Sequence, residues 1–384
     1  MKTLIATTII VTAAILLIPR VQAEPTLKEV FKNDFLVGAA LNPSQFCESN
    51  VVEAALIKAE FNSISPENVL KWEMVHPKPG HYDFALADRY VDFGARNRMF
   101  IIGHNLVWQS QTPDWVFLDP SDKPVGREVL LQRMRDHIFT VVGRYKGRIK
   151  GWDVVNEALA EDGSLSKDSR WFKIIGPDYI KKAFEFAHEA DPQAELYYND
   201  YSLEKNPKRA GGLALIRKLK AEAVPITGLG LQGHYTLDSP DDHDLNATID
   251  AFARLGVKVM ITELDVDVLP SAWVQGSADI TRNYAQQTKL NPYPGGLPGA
   301  MQQKLGDRYA DLFRVFLNHR DAISRVTLWG VADQDSWLND WPVKGRASYP
   351  LLFDRKYQPK PAFEAVIKTA QSKSGPASMM ETAE

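Results

Sequence analysis

The amino-acid sequence predicts an α/β protein built as one (β/α)8 TIM barrel. Eight short runs rich in β-branched and aromatic residues recur along the chain, and each precedes a longer segment with helical periodicity. Eight strand–helix units are the number that closes such a barrel. The runs are apolar almost throughout, as parallel strands buried on both faces are. A chain of 384 residues could hold two or three average domains, but barrels of this kind reach that length as one domain.

The predicted elements alternate in a regular order along the chain. The predicted strands are 35–41, 61–65, 100–105, 149–156, 195–199, 227–232, 258–263 and 326–329. The predicted helices are 51–60, 84–97, 127–145, 179–190, 207–223, 242–255, 301–318 and 361–369. Two connections, 158–178 and 266–300, are long, and loops of such length commonly carry function.

The first 23 residues differ in composition from the rest of the chain. Lys2 gives a short positive start, residues 4–18 are apolar, and small residues stand before a cleavage position after Ala23. This order predicts a secretory signal peptide, 1–23. A membrane anchor is the alternative, but the apolar stretch is short for a span. We therefore expect a secreted or periplasmic protein, with no membrane attachment after cleavage.

Downstream of the signal, the sequence predicts one domain over 24–370 and a disordered, polar tail over 371–384. The net charge of -3 and the absence of a long basic run argue against nucleic acid as a partner. Cys47 is the only cysteine, so no intrachain disulfide can form, and we interpret it as a buried apolar side chain. No clustered metal ligands such as H-E-x-x-H occur; we expect no metal, no cofactor and a monomer.

Polar and aromatic side chains gather where seven of the predicted strands end, and that face of a barrel carries chemistry. In chain order they are Glu67, Asn68, Lys71, Trp72, His104, Trp108, Gln109, Asn156, Glu157, Tyr198, Asn199, Gln232, His234, Glu263, Asp265, Trp329, Asp333 and Trp337. Each alone has a structural explanation, such as a buried histidine, a charge at a helix start or a core tryptophan. Their coincidence at one face favours a functional site.

Glu157 and Glu263 end the fourth and seventh predicted strands, on opposite sides of the ring. Two carboxyl groups facing each other across a cleft that contains tryptophan and amide side chains are typical of a glycosidase. Sugars stack their C–H faces on tryptophan and present hydroxyl groups to amides and carboxylates. The alternative, a structural glutamate at each position, is disfavoured because glutamate is rarely buried without a partner.

Four stretches, "GHNLVW", "WDVVNEA", "LQGHY" and "GVKVMITELDV", resemble segments of glycoside hydrolase family 10, the endo-β-1,4-xylanases. The resemblance covers about residues 27–368, with the motifs in the family's order. It implies a secreted enzyme that hydrolyses internal β-1,4 bonds of xylan and xylo-oligosaccharides with retention of configuration. It further implies that Glu157 is the general acid/base and Glu263 the nucleophile.

The resemblance also implies a set of residues that bind the sugars. These are Glu67, Asn68, Lys71, His104, Trp108, Asn156, Tyr198, Gln232, His234, Trp329 and Trp337. In that scheme Glu67, Asn68, Lys71 and Trp337 contact the sugar one step beyond the cleaved one.

The scheme gives more specific roles near the reacting sugar. Asn156 binds its 2-hydroxyl group, His104 and Lys71 flank it, and Trp329 lies beneath it. Tyr198 lies on the leaving-group side. Gln232 and His234 hold the nucleophile, with Asp265 behind them. Gln109 stands where many family members have histidine, a departure that concerns a supporting contact and not the two glutamates.

Two other interpretations remain open from the sequence. An enzyme with the same machinery could act on β-1,4-glucan, whose extra C6 hydroxymethyl group would have to be accommodated near Glu67, Lys71 and Trp337. A polysaccharide-binding barrel without activity is a different class of protein, but such barrels usually lack a catalytic acid, and both carboxyl groups are present here. Retention would require the two carboxyl groups to lie ~5–5.5 Å apart.

Overall fold

A computed structural model describes residues 24–270 and 288–372 of the chain. The predicted signal peptide, the middle of the long connection after the seventh predicted strand, and residues 373–384 of the predicted tail lie outside the described residues. The strands are β1 (Leu36–Leu41), β2 (Ser63–Pro66), β3 (Phe100–Val107), β4 (Gly151–Asn156), β5 (Glu195–Asp200), β6 (Gly228–Leu231), β7 (His234–Thr236), β8 (Lys258–Asp267) and β9 (Ile323–Leu328).

The α-helices surround these strands. They are α1 (Leu27–Val30), α2 (Pro43–Phe46), α3 (Val51–Glu60), α4 (Trp72–Val75), α5 (Ala85–Arg96), α6 (Arg127–Arg144), α7 (Arg170–Ile175), α8 (Tyr179–Ala190), α9 (Lys208–Ala221), α10 (Asp242–Ala253), α11 (Gly299–Asn318) and α12 (Pro361–Ser372). Short 3-10 helices lie at Asp114–Val116, Thr288–Leu290 and Asp333–Asp335. Over the described ranges, none of these helices is both long and apolar enough to cross a membrane.

Eight of the strands close into a parallel barrel. The hydrogen-bonded order runs from β6 through β5, β4, β3, β2 and β1 to β9 and β8, and pairing of β6 with β8 closes the ring. The short strand β7 adds to the end of β8 through the pair His234–Asp265. The predicted (β/α)8 fold is therefore confirmed, and each of the eight predicted helices is present.

Several predicted boundaries are wrong in ways that have physical reasons. The seventh predicted strand continues four residues further, to Asp267, because its end pairs with β7. The eighth begins at Ile323, three residues early, because the charged Arg325 is buried within it and masks the apolar pattern. Helix α12 reaches Ser372, so the first two residues assigned to the tail are helical. Cys47, expected to be buried, is partly exposed.

The two faces of each barrel strand pack against different partners. Ile102, Tyr197 and Met260 form a small cluster separate from the main core, whereas their chain neighbours pack outward against the helices. Successive side chains of a strand alternate between its faces, so residues two positions further along continue the inward face. On β5 that position is Asn199, and on β8 it is Thr262. The inner face of the barrel thus leads directly into the cleft at the carboxyl ends of the strands.

Candidate active site

Glu157 and Glu263 both stand beside irregularities in the barrel strands. The register of β4 shifts between Asp153 and Val155, just before Glu157. The register of β8 against β9 shifts between Ile261 and Leu264, which brackets Glu263. Bulges bend a strand locally and re-aim its side chains, and they concentrate at barrel rims beside active sites. The backbone of both elements therefore departs from regular pairing where the two carboxyl groups enter the cleft.

The carboxyl group of Glu157 accepts hydrogen bonds from two side chains that directly follow other strands, β3 and β6. Trp108 Nε1 donates to Oε2 at 2.8 Å, and Gln232 Nε2 donates to Oε1 at 2.9 Å. Burial raises the pKa of Glu157, against these two hydrogen bonds, and the negative charges of Asp200 and Glu263 raise it further. Such an environment favours the protonated form, which a general acid requires.

The carboxyl group of Glu263 has a different environment. Asn199 Nδ2 donates to Oε1 at 2.7 Å, and His234 Nε2 lies 3.2 Å from Oε2. Burial alone would raise the pKa of Glu263, but the His234 hydrogen bond, the electrostatic effects of the neighbouring His104 and His234 rings, and the Asn199 hydrogen bond together lower it. The environment favours a carboxylate, which is the form that a nucleophile needs.

His234 connects Glu263 to a second acidic group. Its Nδ1 lies 3.0 Å from Asp265 Oδ1, and Trp337 Nε1 donates to Asp265 Oδ2 at 2.7 Å. Burial disfavours the charged imidazolium, but the Asp265 and Glu263 carboxylates outweigh it and raise the pKa of His234 to about 10. The ring is therefore a cation at neutral pH, with both nitrogens donating. Asp265 therefore contacts both Trp337, the tryptophan expected at the sugar site, and His234, which contacts Glu263.

Asn199 joins the two halves of the site, and no role was predicted for it. Its Nδ2 donates both to Glu263 Oε1 and, at 2.8 Å, to Asn156 Oδ1. Thr262 Oγ1 donates to Asn199 Oδ1 at 2.6 Å, which fixes the orientation of the amide. Asn156 in turn donates to Glu157 Oε1 at 3.3 Å. The signal in the sequence was an asparagine at the end of an apolar run, on the inward face of β5.

Two predicted contacts are corrected by the structure. The Gln232 side-chain amide donates to Glu157, so the prediction that this side chain holds the Glu263 carboxyl group is wrong. Gln232 contacts Glu263 through the backbone instead, where its carbonyl oxygen accepts from the Glu263 N–H at 2.6 Å. Tyr198 is fully buried among outward-facing core residues, where its hydroxyl group donates to Asp200. It does not reach the leaving-group side, because alternation along β5 turns it away from the face that carries Asn199. Tyr201, which is partly buried, lies close enough to Glu157 for the charge of that carboxyl group to raise the tyrosine pKa.

Lys71 lies beside Trp108 and is buried. Its Nζ donates to Asn68 Oδ1 at 2.8 Å and to Gln111 Oε1 at 2.7 Å, and lies 5.0 Å from the ring centre of Trp108. Burial lowers the pKa of Lys71, opposed by the charges of Glu263, Glu67 and Glu157. Burial also raises the pKa of Glu67, against the attraction of Lys71. The predicted group of Glu67, Asn68 and Lys71 is therefore assembled near both catalytic candidates.

Gln111 was not singled out from the sequence, yet it contacts Lys71, Asn68 and Glu73. Gln109, the predicted departure from the family pattern, is exposed. The residue that departs from the family pattern, Gln109, is therefore directed to solvent. Gln111, two residues further along the chain, makes the contacts within the cleft.

His104 and Trp329 lie together near Glu263. His104 Nδ1 is 3.0 Å from Asp153 Oδ2, and both side chains are buried. The edge of the His104 ring meets Trp329 at a centroid distance of 5.4 Å, and His234 meets the same indole at 6.4 Å. Trp329 is thus held between two histidines that both lie near Glu263, as a fixed apolar surface at the base of the cleft.

One group of side chains in the described ranges is close enough to share a metal ion. The ligand atoms of Asp241, His243 and Asp244 lie within 4.8 Å of one another. Two of the three residues are exposed, and Asp241 caps α10 by accepting from the backbone N–H of Asp244 at 2.7 Å. Helix capping accounts for this arrangement.

A (β/α)8 barrel that places two carboxyl groups with opposite pKa shifts among tryptophan and amide side chains, at the carboxyl ends of its strands, defines a glycoside hydrolase. A family model described as Glycosyl hydrolase family 10 matches residues 26–369. The chain therefore belongs to glycosyl hydrolase family 10.

The relatives agree over nearly the whole chain. The endo-1,4-beta-xylanase A of Xylanibacter ruminicola is 47% identical over 347 residues, which cover 90% of this chain and 94% of the relative. The beta-1,4-xylanase of Dictyoglomus thermophilum is 42% identical and covers 90% of this chain and 91% of its own. A solved structure of a GH10 endoxylanase retrieved from sugarcane soil metagenome matches with a TM-score of 0.86 and 47% identity, covering 89% of this chain and 99% of its own.

Proposed function

We propose that this protein is a retaining endo-1,4-β-xylanase that acts on xylan and xylo-oligosaccharides. The observation that carries the proposal is that two carboxyl groups in one hydrogen-bonded network have pKa values shifted in opposite directions. Glu157 is held in surroundings that favour its acid form, and Glu263 in surroundings that favour its carboxylate. Family membership and the xylanase relatives support xylan as the substrate.

In the first step, Glu263 attacks the anomeric carbon while Glu157 protonates the departing glycosidic oxygen. A protonated His234 and the amide of Asn199 keep Glu263 ionised until the attack. A covalent glycosyl-enzyme ester then forms, and the leaving chain departs as a neutral alcohol.

In the second step, Glu157 acts as a base. The ester at Glu263 carries no charge, so one of the negative charges that raises the pKa of Glu157 is gone. The pKa of Glu157 falls, and its carboxylate can accept a proton from the incoming water. Water attacks from the face that the leaving group vacated, and two inversions give net retention.

Sugar recognition follows from the remaining groups around the cleft. Trp329 and Trp337 offer apolar surfaces, and Glu67, Asn68 and Lys71 offer polar groups. A xylosyl unit lacks the C6 hydroxymethyl group of glucose, and the side chains around Glu67, Lys71 and Trp337 would have to admit the larger sugar for glucan to bind. Initial rates on xylan and on a soluble cellulose derivative test this, and a higher rate on the cellulose derivative would refute the substrate assignment.

The roles of the two carboxyl groups are tested with matched alanine variants. Glu263→Ala abolishes turnover of every glycoside, because no ester can form. Glu157→Ala still forms the ester from an aryl xyloside whose phenol needs no proton, but then lacks its base. Stopped-flow measurement of phenol release should therefore show a burst followed by a slow steady state for this variant only.

Azide provides the stereochemical test. A small anion needs no deprotonation, so azide should restore turnover of Glu157→Ala and give a β-xylosyl azide, identified by proton NMR of the product. An α-azide from this variant, or a β-azide from Glu263→Ala, would reverse the two roles.

We also propose export of the protein, with a catalytic domain that begins after the signal peptide and ends with α12. Mass spectrometry of the protein outside the cytoplasm should find a mature chain that begins at Glu24. A chain that retains Met1 in that fraction would exclude cleavage.

A further inference from the structure

A buried ion pair lies behind Glu157, on the side away from the cleft. Asp200 ends β5 and Lys208 begins α9, and their charged groups are 3.0 Å apart with almost no solvent exposure. Buried charges are costly unless paired, and a pair of this kind commonly has a functional reason to persist. No step of the mechanism proposed above uses either residue.

The pair is connected to the backbone that carries Glu157. Glu157 has a φ of 56°, in the left-handed region that non-glycine residues seldom occupy. The next two backbone N–H groups are both held from β5: Ala158 N–H donates to Tyr198 Oη at 3.1 Å, and Leu159 N–H donates to Asp200 Oδ2 at 3.3 Å. The Tyr198 hydroxyl group donates to the same Asp200 oxygen.

Lys208 adds contacts to the segments that follow β4 and β5. Its Nζ lies 3.2 Å from the ring centre of Tyr201 and 3.6 Å from Glu161 Oε1. The backbone N–H of Tyr201 donates to Asp200 Oδ1 at 2.9 Å. One carboxylate therefore holds both the segment that follows Glu157 and the start of the loop that follows β5.

The charge of Asp200 acts on Glu157 as well. Ionisable groups that face Glu157 across the packed elements are Asp200, Glu263, Lys71 and Tyr201. Among them, Asp200 raises the pKa of Glu157 more than Glu263 does. Burial raises the pKa of Asp200, and the Lys208 charge and the Tyr198 hydrogen bond oppose that rise. Unlike Glu263, Asp200 forms no bond to the sugar, so its ionised form acts on Glu157 in both steps.

We propose that the Asp200–Lys208 pair is a positioning device for Glu157, which fixes the strained backbone after it and places a negative charge behind its carboxyl group. This inference rests on the acid/base role proposed for Glu157. It adds that a part of the acid's strength is set from behind the cleft, by residues that never touch substrate.

The test is the pH dependence of kcat/KM for xylotriose in Asp200→Asn. The substitution removes the charge and keeps the shape. The alkaline limb of the profile reports the acid that must stay protonated, and loss of a neighbouring negative charge should move it to lower pH by about 0.5–1 unit. A purely structural loss would lower kcat/KM at all pH values without moving the limb.

Asp333→Asn is a matched control, because Asp333, in the 3-10 helix after β9, and Lys360 form another buried pair, 2.8 Å apart. It should leave the alkaline limb in place. If Asp200→Asn does not fold, the variant with both Asp200→Asn and Lys208→Met removes both charges together, which packed interiors tolerate better than one unpaired charge. Its limb should move in the same direction, since Asp200 and not Lys208 is among the main influences on Glu157.

NMR titration of the Glu157 side-chain carbon reports the same shift without substrate. A carbon titration and an alkaline limb that coincide with those of the parent in the folded Asp200 variants would overturn the inference. If the parent itself fails to hydrolyse xylotriose, the proposed function fails first, and the inference fails with it. If the parent is active but the alkaline limb of kcat/KM does not move in the Asp200 variants, the inference is wrong and the proposed function stands.

Discussion

Replacing Gly230 by alanine should damage catalysis without adding any group to the cleft. Gly230 lies on β6, and a Cβ atom there would sit 2.2 Å from Asn199 Oδ1 and 2.7 Å from Thr262 Cγ2. Contacts under 3.0 Å do not persist in folded proteins, so one of the neighbours must move. Asn199 is the nearest, and its amide holds Glu263 Oε1 at 2.7 Å.

The expected magnitude follows from the bond that is lost. A hydrogen bond to a charged group contributes about 1.5–3 kcal/mol. If all of it were realised in the transition state, kcat/KM would fall by roughly ten- to a hundredfold. Because the Asn199 hydrogen bond lowers the pKa of Glu263, its loss should also move the acid limb of the pH profile to higher pH.

The assay is kcat/KM for an aryl xylobioside across pH, with Gly228→Ala on the same strand as the control. Its Cβ would meet backbone and side-chain atoms at 3.0–3.2 Å, which small shifts can relieve, and none of them belongs to the site. Asn199→Ala and the double variant with Gly230→Ala complete a cycle. The reasoning predicts strong non-additivity, because both changes remove the same bond. Fully additive losses, or an unmoved acid limb, would refute it.

Three further outcomes follow from the site. Trp108→Phe removes the N–H that donates to Glu157, and since that bond lowers the pKa of Glu157, the alkaline limb of kcat/KM should move to higher pH. The pKa of His234 in the folded protein is about 10, against an ordinary 6.5, so its contribution to stability is complete below about pH 6.5 and is lost as the pH rises toward 10. The Tm of the parent should therefore fall over that pH range more than the Tm of Asp265→Asn. Equal slopes of Tm against pH would contradict a charged His234. Lys71→Ala should reduce hydrolysis of xylotriose more than that of an activated aryl xyloside, because contacts to a remote sugar are used in the transition state, and an equal reduction would exclude such a contact.

The barrel could be predicted because local patterns determine it. Each strand is a short apolar run and each helix a longer periodic segment, and eight such units in alternation are the count of a (β/α)8 barrel. Boundaries failed where a long-range partner extended or masked the pattern, as β7 did for the end of β8 and as the buried Arg325 did at the start of β9.

The site could be predicted as a set of strand ends but not as a set of contacts. The two glutamates follow directly from their motifs and positions in the sequence. Which amide serves which carboxyl group does not, since Gln232 and Asn199 both stand at strand ends and their partners depend on the curvature of the ring. In the structure, the Gln232 side chain donates a hydrogen bond to Glu157 and the Asn199 side chain donates one to Glu263.

The sequence by itself determined the fold class and the family, and it predicted which two glutamates are the catalytic candidates, because local periodicity and contiguous motifs carry this information. Only the tertiary structure decided that Tyr198 is part of the support behind Glu157 and that Asp200 and Lys208 join it there. Those contacts unite β4, β5 and α9 across some fifty residues of chain. Burial and the electrostatic field of charged neighbours depend on distances in space, and no local pattern of residues carries that information.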